Sequence, residues 1–178
     1  MRKSLGVLVA VASLLSLAAV GAVPAGAAAG TTCASTAGTV TWKPPEPVKA
    51  PGVKNSISAV GTFGKCTGAV STAHTKLVTP LGKTPSYCGS LLKYSTGATT
   101  TGTLTVTWNK GAASVIAVSI FKVKGKPTQA LVTGKVKTGQ FAGLTSKGTV
   151  SYTPKVGNCV TTALKTASYV QVGALKIS

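Results

Sequence analysis

One carboxylate side chain, Glu46, and one imidazole, His74, occur in the 178 residues. Glycoside hydrolysis of the usual kind needs two carboxylates, one as acid and one as base or nucleophile, so that chemistry is excluded. A Ser-His-Asp relay needs an acidic residue to orient the imidazole. The chain has no Asp, and Glu46 stands in Lys43-Pro44-Pro45-Glu46-Pro47, far in sequence from His74. Calcium and magnesium sites draw on several carboxylates and a catalytic zinc on more than one histidine, so neither a metal nor a cofactor is expected. A cysteine activated by His74, or a serine activated by lysine, needs only residues that are present, but neither has a signature here. A Lys–Asn isopeptide crosslink needs a buried carboxylate to assist, and Glu46 is poorly placed for that in a proline-rich connection. The reading is therefore of a protein that is not an enzyme, with no catalytic residue to name.

The four cysteines are Cys33, Cys66, Cys88 and Cys159. An even number in an exported chain argues for two disulfides, and three pairings are open. Folding Thr36–Trp42 back on Asn55–Lys65 around the loop Lys43–Lys54 sets Cys33 opposite Cys66. This favours that bridge and leaves Cys88–Cys159 as the second. A zinc site is a poor alternative, because the chain has no C-x-x-C pair and an oxidising compartment removes thiolates.

Lysine and arginine total 19. Arg2 and Lys3 lie in an N-terminal leader, and every other basic residue is a lysine, set against Glu46 alone. This excess makes a positive field that attracts polyanions, screened over a Debye length of about 8 Å. Lys122, Lys124 and Lys126 follow one another at strand spacing beside the Gly125–Pro127 turn, with Lys135 and Lys137 on the adjoining strand. They form the best local patch for an anionic polymer, and the competing reading is a solvated hairpin end. Lysine is a flexible point charge without the planar fork of arginine, so such binding is expected to be loose and to need no unique pocket. Nucleic acid enters only as a non-specific polyanion, since base-stacking platforms need more than 5% aromatic content.

The elements that carry these residues begin after the leader. Arg2 and Lys3, an apolar run from Leu5 to Val20 and small residues up to Ala29 read as a secretory signal peptide over residues 1–29. Cys33 follows Gly30-Thr31-Thr32, which is not a lipoprotein tripeptide, and no second apolar span follows, so no membrane span is expected after cleavage. Residues 30–178, about 150, suffice for one domain with a sizeable core.

Within that domain the clearest pattern is Gly102–Lys124. Leu104, Val106 and Trp108 alternate with threonines at 103, 105 and 107, which predicts a half-buried strand with Trp108 inward. Asn109-Lys110-Gly111 supplies turn chemistry. The chain then returns with Ile116, Val118 and Ile120 on one face and Val115, Ala117, Ser119 and Phe121 on the other. A loop or a second sheet is expected to cover Val115 and Phe121; oligomeric state has no signature. Elsewhere, strands are read at Gly38–Trp42, Ser56–Phe63 with a bulge near Gly61 or Gly64, Gly68–Val78, Thr128–Thr138, Gly148–Tyr152 and Val170–Ile177. Lys43–Pro47 reads as an exposed connection, Thr79–Tyr87 as a loop, Gly89–Tyr94 as a strand or helical turn, and Ser95–Thr101 as a polar linker.

Many short strands without an amphipathic helix predict an all-β fold. The architecture favoured is a single-domain two-sheet Ig-like β-sandwich, with a small up-and-down β-barrel as the alternative. The order of TTC, GTVTWKPP, GKCTG, TGTLTVTWN, TGQFAG, GTVSYTP and NC before a last strand resembles small secreted β-rich proteins of actinobacteria. The resemblance covers nearly all of the mature chain and implies fold and export, with no assigned activity and no site residue. The functional expectation is a secreted, non-enzymatic binding or adhesion module for anionic polymers of the cell envelope or surroundings. The alternative is a structural or interaction protein of the envelope, for which lysine is only a solubilising choice.

Overall fold

The computed structural model describes residues 29–82, 85–89 and 100–178. The expected leader, apart from Ala29, lies outside the described residues, as do nearly all of the segments read over Gly89–Tyr94 and Ser95–Thr101. Eight strands follow one another: β1 Thr31–Glu46, β2 Ser56–Cys66, β3 Ala73–Val78, β4 Thr100–Trp108, β5 Ser114–Val123, β6 Lys126–Thr138, β7 Thr145–Val156 and β8 Leu164–Ile177. Each pairs antiparallel with the next, and β8 returns to β1, so the sheet closes into a barrel.

The Ig-like sandwich is overturned by that last pairing. Residues Ala37 to Thr41 of β1 lie opposite Val170 to Thr166 of β8 in continuous register. A sandwich would leave unpaired edges on two separate sheets, whereas closure satisfies the backbone of the first and last strands together. All neighbours in sequence are neighbours in space, the up-and-down arrangement.

The central hairpin is β4 and β5, with Leu104 opposite Ile116. Val106, Trp108, Ile116 and Val118 are buried, and Thr103, Thr107 and Ala117 are exposed, as the alternation predicts. Two further expectations are corrected. The chain does not leave the sheet at Lys43–Pro47: β1 continues to Glu46, with Pro44 and Pro45 exposed and Glu46 buried. No bulge interrupts the β1–β2 pairing at Gly61 or Gly64, which face Gly38 and Ser35 in one register. Irregularities fall instead on β1 against β8, between Cys33 and Ala37 and between Thr41 and Glu46.

Both expected disulfides are present. Cys33–Cys66 ties the start of β1 to the end of β2, and Cys88–Cys159 ties the β3–β4 connection to the β7–β8 loop. Two such bridges suit an oxidising compartment.

One end of the barrel is filled. Phe63, Val106, Trp108, Ile116, Val136, Phe141 and Ile177 form a buried cluster there. Trp108 is 5% exposed and stands edge-on to Phe141, with ring centroids 5.2 Å apart. Its indole N–H donates to Ser114 Oγ at 2.9 Å, and the Ser114 hydroxyl donates onward to the Gln140 carbonyl. The polar end of the tryptophan is thereby satisfied inside the plug.

Candidate binding cavity

The plug occupies the end that carries the β2–β3, β4–β5 and β6–β7 connections. Towards the other end, the inward side chains of all eight strands leave a cavity of about 880 Å³. Its walls are mostly aliphatic, with Val40, Ile57, Leu77, Leu104, Ile120, Val132 and Leu175 contributed from around the barrel. This follows from the period-2 pattern: on a closed sheet every second residue points to the axis, and here those positions are held by branched aliphatics.

Polar groups on the wall are few and most are paired within the protein. The Thr36 hydroxyl donates to Gln171 Oε1, and Gln171 Nε2 donates to the Cys33 carbonyl at 2.8 Å and to the Gly173 carbonyl. The Tyr169 hydroxyl is hydrogen-bonded to Thr75, and burial raises the tyrosine's pKa. Near the open end Tyr152 Oη donates to the Pro127 carbonyl at 2.7 Å. Trp42 packs edge-on to Tyr152, with ring centroids 6.5 Å apart. The Trp42 indole N–H lines the cavity region with no partner among the described residues, which makes it an unused donor.

Glu46 is the best-enclosed polar residue at this end, 0% exposed. The chain after β3 encloses it: the Gly82 amide donates to the Asn55 carbonyl at 2.8 Å, Val53 and Ser86 exchange two backbone hydrogen bonds, and the Cys88 amide donates to the Pro47 carbonyl at 2.8 Å. Asn55 Nδ2 donates to Glu46 Oε2, whereas Oε1 has no partner among the described residues. Burial pushes the Glu46 carboxyl above the usual carboxylate range, against the Ser86 hydroxyl, the Asn55 amide and the Lys122 charge, which all favour ionisation. Sequence reading placed Glu46 in an exposed loop, poorly set to assist a Lys–Asn crosslink. The carboxyl is instead buried against Asn55 and within electrostatic reach of Lys122.

The five lysines of the expected patch are divided. Lys122 is half-buried and lines the cavity. Burial draws its ammonium below the usual lysine range, partly offset by Glu46. Lys124 and Lys126 are exposed at the β5–β6 turn, at the open end. Lys135 and Lys137 are exposed at the far end of β6, where Lys135 pairs with Ala117. Lys126 pairs with Val123 and Lys135 with Ala117, six residues apart on β5, so at the rise of an extended strand the two lysines stand about 20 Å apart.

His74 is exposed on β3. Among the described residues no group of three His, Cys, Asp or Glu side chains is arranged to hold a metal, and no helix is long and apolar enough to cross a membrane. Comparison with protein-family models, with curated proteins and with solved structures finds no match to this chain.

The cavity residues were individually visible as inward-facing members of alternating strands, yet nothing local announces a lumen. Tyr169, Gln171 and Trp42 acquire their meaning only when β8 returns to β1. The signal that existed was the alternation itself, continued through eight strands.

Proposed function

We propose that this protein is a secreted carrier that holds a small, largely apolar molecule inside the barrel. The observation that carries this reading is the cavity: one end of the lumen is packed solid, and the rest is aliphatic, with a volume inside the roughly 300–1,000 Å³ range of small-molecule sites. Tightly packed interiors leave few voids larger than a water molecule, so a space of this size lined by aliphatics has a strong drive to be filled by something apolar. Binding is favoured over catalysis because the one carboxylate is tied to Asn55 and His74 lies on the outer face. The two disulfides and the leader read in the sequence support export.

The test is titration with N-phenyl-naphthylamine, a neutral probe whose fluorescence rises in apolar surroundings and which surface lysines do not attract. Saturable binding at one site per barrel is expected, abolished by Val132→Trp, a substitution that places a large ring in the cavity. Absence of saturable binding by the wild-type protein, or binding that survives Val132→Trp, would overturn the reading.

A second reading applies to the exterior. With Glu46 buried, the described surface carries lysines and no carboxylate side chain, so weak attachment to anionic polymers of the envelope or surroundings is favoured. Retention on heparin should fall steeply with salt. Lys124→Gln with Lys126→Gln, and separately Lys135→Gln with Lys137→Gln, should each weaken it by a similar amount, because the charges act as two distant patches and not as one site. Retention that persists in high salt would defeat this reading.

A further inference from the structure

We propose that the side chains of Lys122 and Asn55 join in an amide bond, with Glu46 as the proton relay, and that this bond straps the open end of the barrel. The inference goes beyond the carrier reading and does not depend on it. Glu46 ends β1, Asn55 immediately precedes β2, and Lys122 is the last residue but one of β5. Up-and-down pairing brings the β1–β2 and β5–β6 connections to the same end of the barrel. Asn55 and Lys122 both line the cavity, and Lys122 is the one lysine among the described residues that do so. Glu46, the single acidic side chain of the protein, is fully buried and acts on both of them. It accepts a hydrogen bond from Asn55 Nδ2 at Oε2, and its charge is felt by Lys122.

A carboxamide is a poor electrophile in water, and what changes here is position and proton transfer. In the step, a bond forms between Lys122 Nζ and Asn55 Cγ, and the bond from Cγ to Nδ2 breaks. Nζ gives up its protons to the Glu46 carboxyl, the carboxyl returns protons to Nδ2, and the nitrogen leaves as ammonium. Nothing is oxidised or reduced, and no co-reactant is consumed. Glu46 Oε2 already stands on the leaving nitrogen, where a proton has to be delivered. Its other oxygen, Oε1, has no hydrogen-bond partner among the described residues and can take the proton from Nζ. A purely structural role leaves that oxygen unexplained, since an enclosed acceptor without a partner costs stability. The step requires neither Lys122 nor Glu46 to lack other partners. An ammonium with a carboxylate and an amine with a carboxylic acid contain the same atoms, so the proton passes within the pair whichever group holds it at rest. Burial raises the Glu46 carboxyl and lowers the Lys122 ammonium, and both directions favour the acid and amine forms that react.

The test is the intact mass of the full mature protein, folded and then read after reduction of its disulfides. A mass lower than that of the sequence by one ammonia is expected. A digest should hold one branched pair of peptides, joined through Lys122 and Asn55, that survives reduction. Lys122→Arg and Asn55→Ala should each restore the full mass, whereas Lys124→Arg, at the exposed turn beside it, should keep the loss. Glu46→Gln retains an acceptor for Asn55 but cannot relay a proton. It should leave about 1% or less crosslinked in the time the wild type needs to complete the bond, as loss of acid–base help worth about 100-fold implies. Near-ultraviolet circular dichroism from the buried Trp108 shows whether each variant is folded. Once acylated, Lys122 no longer titrates, so a rise in stability through the lysine range belongs to the uncrosslinked chain. A folded wild-type protein with the full sequence mass would overturn the proposal. So would an ammonia loss that persists in Lys122→Arg, because it would then come from a cyclised asparagine and not from this bond.

Discussion

The hydroxyl of Tyr169 reaches Thr75 across two intervening strands, and two glycines make the path. Tyr169 on β8 lies opposite Gly38 on β1, Gly38 opposite Gly61 on β2, and Gly61 opposite Thr75 on β3. The four residues form one row around the wall, and the phenol lies along it inside the lumen. A Cβ at Gly61 would come 2.2 Å from Tyr169 Oη and 2.4 Å from the Ala37 carbonyl oxygen. Gly61→Ala should therefore destabilise the barrel by about 1–3 kcal/mol, as overpacking does. Urea unfolding measures it. Combining Gly61→Ala with Tyr169→Ala should recover only part of the loss, because the backbone contact with Ala37 remains; a stability equal to the wild type for Gly61→Ala alone would show that the ring does not lie there.

This row also marks how far a single sequence can be read. Gly61 reads as a strand bulge when β2 is considered alone, because glycine inside a strand often signals one. Its actual purpose, room for a ring from β8, depends on a partner more than a hundred residues away and on closure of the sheet. Trp108 was legible for the opposite reason. Its inward direction comes from its own hairpin and from the alternation with Thr105 and Thr107, both local, although its ring neighbours Phe63 and Phe141 come from β2 and the β6–β7 connection. The disulfides were legible because the hairpin around Lys43–Lys54 fixes Cys33 against Cys66 and leaves one pairing for the rest. The pairing of β1 with β8 was not, since sandwich and barrel strands carry the same period and differ only in which edges meet. Glu46 was misread through its neighbours: Pro44 and Pro45 are exposed as prolines in a strand prefer to be, while the next residue turns inward under the chain that follows β3.

Trp108 anchors the closed end, and its removal tests the plug. Trp108→Ala should cost about 3–5 kcal/mol, the usual loss for a large aromatic taken out of a core. Ser114→Ala is the sharper variant. It deletes one oxygen yet leaves both the Trp108 N–H and the Gln140 carbonyl without their partner, so about 1–3 kcal/mol is expected from a change of almost no volume. Chemical denaturation of both variants, with probe binding recorded alongside, should show lower stability and a retained lumen site in Ser114→Ala.

The two disulfides hold different ends of the barrel and should differ in effect. Cys33–Cys66 joins residues already paired in the β1–β2 ladder, whereas Cys88–Cys159 closes a separation of 71 residues and holds the segment that encloses Glu46. Replacing Cys88 and Cys159 by Ala should cost about 4 kcal/mol on the chain-entropy argument. It should also expose Glu46, visible as faster hydrogen exchange at the Cys88 amide, which donates to Pro47 in the intact protein. Replacing Cys33 and Cys66 should cost stability without that local change.

Glu46 gives the acid limb of stability an unusual sign. In most proteins, carboxylates paired as anions in the native state lose stability as pH falls. Here the chain holds one acidic side chain, and burial raises its native pKa. Between the unfolded value near pH 4 and the raised native value, the native state binds more protons through Glu46 than the unfolded state does. Its contribution is therefore complete below the unfolded value, declines as pH rises through that window, and is constant above the native value. Lys122 runs the other way at high pH: with a lowered native pKa it binds fewer protons folded than unfolded, so stability rises as pH climbs from that value towards the ordinary lysine range. Urea midpoints from pH 4 to 8 should fall with rising pH for the wild type relative to Glu46→Gln, which keeps an acceptor for Asn55 and cannot ionise. Glu46→Ala should be less stable than either at every pH, since it leaves the Asn55 amide without its acceptor at a cost of about 1–3 kcal/mol. A wild-type midpoint that instead rises towards neutrality relative to Glu46→Gln would mean that Ser86, Asn55 and Lys122 together outweigh burial and that Glu46 is held as the anion.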